Sequence, residues 1–348
     1  MQILHEQVAN HMRVCVSVGD GIETLYAVAS SEPLLSEAAS YVMRTAMAKF
    51  SMSNALTHVL SGFCINQGDR GELLVAALFT CARDQVINSK PHLPKEQLCH
   101  PFSVKDLFSH LFSDSALAIV LRAKPSLCHS QELAGLPFED VFGQAYMHFN
   151  HFIKPQEWKL LERGYLLLYL ARGAAALGAN CQPAFDAVYP FLYGGKELVR
   201  KRVGFIIVQV KNDSNTHRPI NNIFPNMDPR KCRLLDESDI EDNVFPIPII
   251  RLLFLLSSEE DCVIREEGPH ETSPYFTSYD FICHGVGEKV FRPVQDCPDV
   301  WASLINKSPW ASLYDTPVSD VVRAQLPGCG YHEDHWTWVE DFSNVVWR

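Results

Sequence analysis

No CxxC pair occurs among the 11 cysteines, which are scattered and odd in number. That argues against a disulfide framework and for reduced, mostly buried thiols in an intracellular compartment. The opening MQILHEQVANHMRVC has no uninterrupted apolar core, so no secretory signal is expected and nucleus or cytoplasm is the expected location. Long apolar runs are missing too. LLLYLARGAAALGA is broken by Arg172 and PIPIIRLLFLL is shorter than the ~18 residues a span requires, so no membrane association is expected. Without a GxxxxGK(S/T) phosphate loop, nothing supports nucleotide hydrolysis by this chain. Without GxSxG, or a Cys/His arrangement of interpretable spacing, protease and esterase chemistry is equally unsupported. Neither an internal repeat nor a low-complexity tract is present. Positive charge is in deficit: 30 Lys and Arg against 41 Asp and Glu give a formal net charge of −11. That counts against a surface built to neutralise phosphates wholesale.

What is present is a globular composition. Apolar residues make up 47% of the 348, and mean hydropathy is −0.04, enough for one large domain or two ordinary ones with ample core. MRVCVSV and IETLYAVA around the Gly-Asp-Gly at 19–21 read as a hairpin, and Ser31 and Pro33 open a helix towards Phe50. Residues 70–86 read as a nearly all-apolar helix, and 87–140 as mostly helical with a loop around PHLPKEQLCHPF. The alternation of AYMHFNHFI, 145–153, predicts a strand. Pro155 then starts a helix through QEWKLLERGYLLLYLARGAAALG, ending near Gly178–Asn180. Residues 212–244 read as irregular, FPIPIIRLLFLLS as a buried strand entered through prolines, and the chain from about 257 as loop-rich with a Trp-rich end. The expected organisation is an N-terminal hairpin and helix over 1–62, an α/β core over 63–290 and a loop-rich extension over 291–348.

The most informative segment is FDAVYPFLYGGKELVRKRVGFIIVQVKN. Asp186 opens its first apolar run, and Gln209-Val210-Lys211 closes its second. Strand side chains alternate, so Gln209 and Lys211 project from one side and Val208 and Val210 from the other. If the runs pair as an antiparallel hairpin with Asp186 opposite Gln209, the centre falls inside the Gly194–Arg202 loop. An acid, an amide and an ammonium then converge at the open end, a set that suits a divalent metal and a phosphodiester. Acids are depleted in strand interiors, which marks Asp186. Burying an unpaired lysine is expensive, so Lys211 must reach water, an anion or a carboxylate. The competing reading is a strand that has simply ended, with both residues solvated. Lys196, Arg200, Lys201 and Arg202 form a basic run that offers a local nucleic-acid-binding patch despite the acidic total.

This pattern resembles the PD-(D/E)XK nuclease superfamily in its Gln-x-Lys variant, and is similar to the Crinkler-type and transposon-linked NTPase–nuclease proteins of eukaryotic microbes. Asp186, Gln209 two residues before Lys211, and Glu72 in GDRGELLVAALFTCARDQV carry the resemblance, which is concentrated in residues 65–86 and 145–213. It implies an α/β fold with a restriction-endonuclease-like core, a short mixed sheet flanked by helices, with helical insertions. It also implies hydrolysis of DNA phosphodiester bonds by a metal-activated water. Asp186, Glu72, Gln209 and the Val210 carbonyl would surround Mg²⁺ or Mn²⁺, with Lys211 polarising the water or stabilising phosphate charge. Related longer proteins often carry an NTPase module upstream, and residues 1–62 would be the tail of such a domain. Gln209 brings no charge, so a catalytically degenerate fold serving as a nucleic-acid-binding or protein-interaction module stands as the alternative. A structural remnant of a mobile-element protein is the third reading.

Each candidate has a plainer role. Asp69-x-x-Glu72 is also a capping box, in which Glu72 reaches back to the Asp69 N–H. Gln182, four residues before Asp186, would support the site, although a polar residue ending a loop is the commoner case. His148 and His151, three apart, fall on opposite faces of a strand and make no metal pair. His332 and His335 in GYHEDHWTW read as a solvated tail.

Overall fold

In the computed structural model, residues 13–18, 25–29, 32–45, 51–62, 67–90, 100–179, 182, 184–212, 223–235, 239, 245–257, 263–266 and 271–306 are described. Strands β1 (Arg13–Val18) and β2 (Leu25–Ala29) pair antiparallel, as the hairpin reading expects, although its turn lies outside the described residues. Helices α1 (Glu32–Thr45), α2 (Met52–Gly62) and α3 (Gln67–Asn88) follow. The next stretch holds β3 (Phe102–Ser103), α4 (Val104–Leu111), α5 (Asp114–Arg122), β4 (Leu127–Cys128) and α6 (Phe138–Phe142). Then come β5 (Tyr146–Met147), β6 (His151–Ile153), α7 (Arg163–Ala171), β7 (Ala174–Leu177), β8 (Ala187–Leu192) and β9 (Val203–Lys211). A short α8 (Ile223–Asn226) precedes β10 (Phe245–Leu255), β11 (Val263–Glu266), β12 (Glu271–Thr272), β13 (Phe276–His284) and α9 (Pro298–Asn306).

The fold is mixed α/β: among the described residues an 11-stranded mixed sheet is flanked by helices. At its centre β8 runs antiparallel to β9, and β9, β10 and β13 run parallel to one another. Every residue of β9 up to Val210 is buried, which is why VGFIIV is continuously apolar rather than alternating, Gln209 being the buried polar exception. β7 pairs with the start of β8, and β5 with its end. Helix α3 packs on β9, and α7 packs on β7, β8 and β9.

Three sequence readings are corrected here. AYMHFNHFI is not one strand but β5 and β6 with a break at 148–150, and His148 lies in the break. The helix expected from Pro155 to Gly178 is a 3₁₀ turn at Trp158–Leu161 and then α7. Gly173 ends α7 with φ 69, and a Cβ there would sit 2.8 Å from the His148 ring. Ala174–Leu177 then leave as strand β7, so packing beside β8 overrides the helix preference of alanine. The third correction is β13, a fully buried central strand inside the region read as loop-rich.

β13 escapes a hydropathy reading because FTSYDFICH is half polar. Its Asp280 lies opposite Arg251 of β10 and accepts from Arg251 Nε at 2.7 Å and Nη2 at 2.5 Å. Arg251 Nη1 donates to the Phe224 carbonyl and Nη2 to Ser278 Oγ, and the guanidinium lies over the Phe224 and Phe276 rings. Both charges are shielded from water and answer each other.

A second buried network ties α1 to α3. Arg83 donates to Glu37 Oε2 at 2.5 Å, to Ser40 Oγ and to Asp84, and Asn150 Nδ2 reaches Glu37 at 2.9 Å. Helix α9 packs against α2 and α3, so segments from both outer regions lie against the core.

Candidate metal and phosphate site

Ala187 to Leu192 pair with Val208 to Val203 at constant index sum, as the hairpin reading expects, but the chain slips at Asp186. The Tyr193 N–H donates to the Arg202 carbonyl, which sets the ladder's phase and makes Ala187 and Val208 a bonded pair. The Asp186 N–H also donates to the Val208 carbonyl, at 2.8 Å. Two residues therefore oppose one, in the manner of a β-bulge, a feature that re-aims a side chain beside an active site. Ala184, two residues earlier, has φ 70, a left-handed conformation uncommon for a residue with a Cβ. The Asp186 carboxylate turns over the end of β9, where Oδ2 accepts the Val210 N–H at 2.5 Å and Gln209 Nε2 at 2.6 Å. Gln209 is only 5% exposed. The Val210 carbonyl stands beside it, 3.5 Å from Gln209 Nε2, on a stretch of β9 that β8 no longer covers.

Glu72 arrives from the other side. Gly71 makes this possible: a Cβ there would meet Asn212 Cβ at 2.9 Å and Val210 Cγ1 at 3.1 Å, so the first turns of α3 press onto the end of β9. Because α3 begins at Gln67, Asp69 is already helical in the first turn. The capping box needs a non-helical residue at that place, so that rival role is removed. The Glu72 carboxyl is pushed up to about 7, first by burial, then by the carboxylates of Asp186 and Asp69, against the pull of Lys154 and Lys211. Asp186 is raised too by burial, and held back by the Val210 N–H, Lys211 and Gln209. Lys211, half-buried at the end of β9, thus acts on both acids.

The folded chain binds the Glu72 proton more tightly than the unfolded chain does, so stability must fall as pH rises from about 4.5 to about 7. Glu72→Gln removes that loss. Metal-free melts of wild type and Glu72→Gln should converge near pH 4.5 and separate by pH 8 with the variant more stable. Curves that stay parallel across the window would place Glu72 in water, away from Asp186.

Other expected members lie elsewhere. Lys196, Arg200, Lys201 and Arg202 sit at the closed end of the hairpin, roughly 20 Å along the strands from Asp186. Three have partners there: Lys196 over the Tyr146 ring, Arg200 with Asp239 and Arg202 with Glu197. The hairpin that assembles the site also keeps this basic run away from it. Gln182 turns from the site as well, donating Nε2 to the Cys232 carbonyl at 2.8 Å. His148 is buried with its proton affinity lowered to about 4, while His151 Nδ1 meets Asn150 Oδ1, and the pair does not act together. His332 and His335 lie outside the described residues. Lys154 is the member that sequence reasoning missed, because it falls outside every motif at the end of an aromatic run.

Residues 1–244 match the family described as a domain of unknown function, DUF8736. The chain belongs to this family. No curated protein and no solved structure matches it. Glu72, Lys154, Asp186, Gln209 and Lys211 all lie within the DUF8736 region, while β10 and β13, which complete the parallel centre of the sheet, follow it. Among the described residues no three His, Cys, Asp or Glu side chains come together to hold a metal. A cation here would depend on two carboxylates supplemented by amide and backbone oxygens. All are hard donors of the kind Mg²⁺ takes; burial raises the proton affinity of both acids, and the Asp186 and Asp69 carboxylates raise that of Glu72 further. Among the described residues no helix is long and apolar enough to cross a membrane.

Proposed function

We propose that this DUF8736 protein is a Mg²⁺-dependent DNA nuclease with a restriction-endonuclease-like core. The observation that carries the reading is the Asp186 carboxylate fixed at 2.6 Å to Gln209 on the next strand, with Glu72 and Lys211 acting on it electrically. The order helix, acid strand, Gln-x-Lys strand agrees with the resemblance, and so does the mixed sheet of β8, β9 and β10 beneath α3.

Asp186, Glu72, Gln209 and the Val210 carbonyl would hold the cation. When bound, Mg²⁺ supplies charge neutralisation at the phosphate. Gln209 donates Nε2 to Asp186, and a turn of its amide would offer Oε1 to the ion. Lys211 donates to a phosphate oxygen as charge builds there. Glu72, half-buried and within electrostatic reach of Asp186, would bring the second carboxylate to the ion. The neutral Gln209 and the two-carboxylate set favour one other reading, a catalytically silent fold that binds nucleic acid or protein.

Calorimetry at pH 8 tests the assignment. Wild type should bind Mg²⁺, Asp186→Asn should bind it at least ~10-fold more weakly, and Gln209→Glu more tightly, because each changes the charge facing the ion. Absence of Mg²⁺ binding together with absence of DNA cleavage would sink the nuclease reading and favour the binding module.

A further inference from the structure

A group of exposed residues outside the motif gathers on one flank of Asp186. Ile153 of β6 lies beside Ala176 of β7, which lies beside Val188 of β8, so Lys154 comes level with the row that leads through Leu177 to Ala187. That leaves Lys154 two strands, about 10 Å, from the start of β8. Four residues on is Trp158, 42% exposed, with the Arg233 guanidinium 4.2 Å from its ring centre. Arg233 has φ 58, a backbone state costly for a residue with a Cβ. The preceding Cys232 carbonyl is fixed by Gln182. Gly178 marks how near this is to the site: a Cβ there would be 3.4 Å from Gln182 Cβ and 3.6 Å from the Asp186 carbonyl. Lys154, Trp158 and Arg233 thus flank Asp186 on the side away from β9.

We propose that Lys154, Trp158 and Arg233 form the entry platform for a single strand of DNA, which makes single-stranded DNA the substrate. This rests on the nuclease reading for what happens to the strand, but not for its binding. The Trp158 face that Arg233 leaves uncovered stacks an unpaired base, while Arg233 and Lys154 take the adjoining phosphates. Paired bases keep their faces inside the duplex and cannot use such a platform. Lys154 and Lys211 stand about 17 Å apart, three strand spacings across and three residues along β9, a distance covered by several consecutive phosphates of one strand. The platform also answers the acidic total, since a local cation and aromatic pair requires no basic surface.

The test is fluorescence anisotropy of a labelled oligonucleotide without divalent cation, as single strand and as duplex, across a salt series. Wild type should prefer the single strand. Trp158→Ala should weaken single-strand binding about 5- to 100-fold, with Trp158→Phe restoring most of it. Lys154→Ala should lower the salt slope by about 0.7, and Lys124→Ala, an exposed lysine just before β4 on the far side of β13, should change nothing. Wild-type affinity in Trp158→Ala, or equal binding of duplex and single strand, would overturn the platform. If wild type still cuts DNA in that case, the nuclease reading stands alone. Binding through Trp158 with no Mg²⁺-dependent cleavage would keep the platform and remove the nuclease. Wild type that neither binds nor cuts DNA would remove both.

Discussion

Asp186→Asn is expected to lower Mg²⁺-dependent DNA cleavage at least ~100-fold with little change in folding. The loss of a carboxylate that holds the cation neutralising the phosphate is of that order. Asparagine keeps an Oδ to accept the Val210 N–H, which Asp186 now holds at 2.5 Å. Asp186→Ala is the poorer test, because it strands the Val210 N–H and Gln209 Nε2 and costs about 1–3 kcal/mol of stability through unpaired polar groups. Initial cleavage rates should therefore be compared at matched folded fraction, read by circular dichroism. An Asp186→Asn protein that cuts at the wild-type rate would take Asp186 out of the chemistry.

The second large effect is structural. Asp280→Ala should destabilise the protein by about 3–5 kcal/mol, because it leaves the Arg251 guanidinium buried without its counter-charge. The double variant Arg251→Met/Asp280→Leu should recover most of that loss, since apolar packing replaces a buried ion pair at little net cost. Urea unfolding of the three proteins measures both. A cost below about 1 kcal/mol for Asp280→Ala would mean that water reaches Arg251 and that β10 and β13 do not meet as described.

The central hairpin was legible because a doubly buried strand has to be a continuous apolar run, and Val203–Val208 is one. The meeting of Asp186 with Gln209 could also be read from it, since an index sum fixes who faces whom. The extra residue at Asp186 could not, because a bulge leaves no mark in hydropathy. β7 was hidden by composition: four residues of Ala-Ala-Ala-Leu favour helix until a neighbouring strand claims them. β13 was hidden by its polar residues, whose partners on β10 and around β4 are set only by tertiary structure. Glu72 looked like a cap because the start of α3 cannot be fixed from spacing to within one turn. The basic run was legible as charge and as position, since the hairpin that joins Asp186 to Gln209 puts the loop at its other end.

The most direct trial of the account is hydrolysis of circular single-stranded DNA by wild type and by Lys211→Met, each with Mg²⁺ and with EDTA. Methionine keeps the apolar stem that packs at the end of β9 and removes only the charge. The expected result is cleavage by wild type in Mg²⁺, none in EDTA, and a loss of at least ~100-fold in Lys211→Met. Intact circles after wild type with Mg²⁺, or equal cleavage by Lys211→Met, would contradict it.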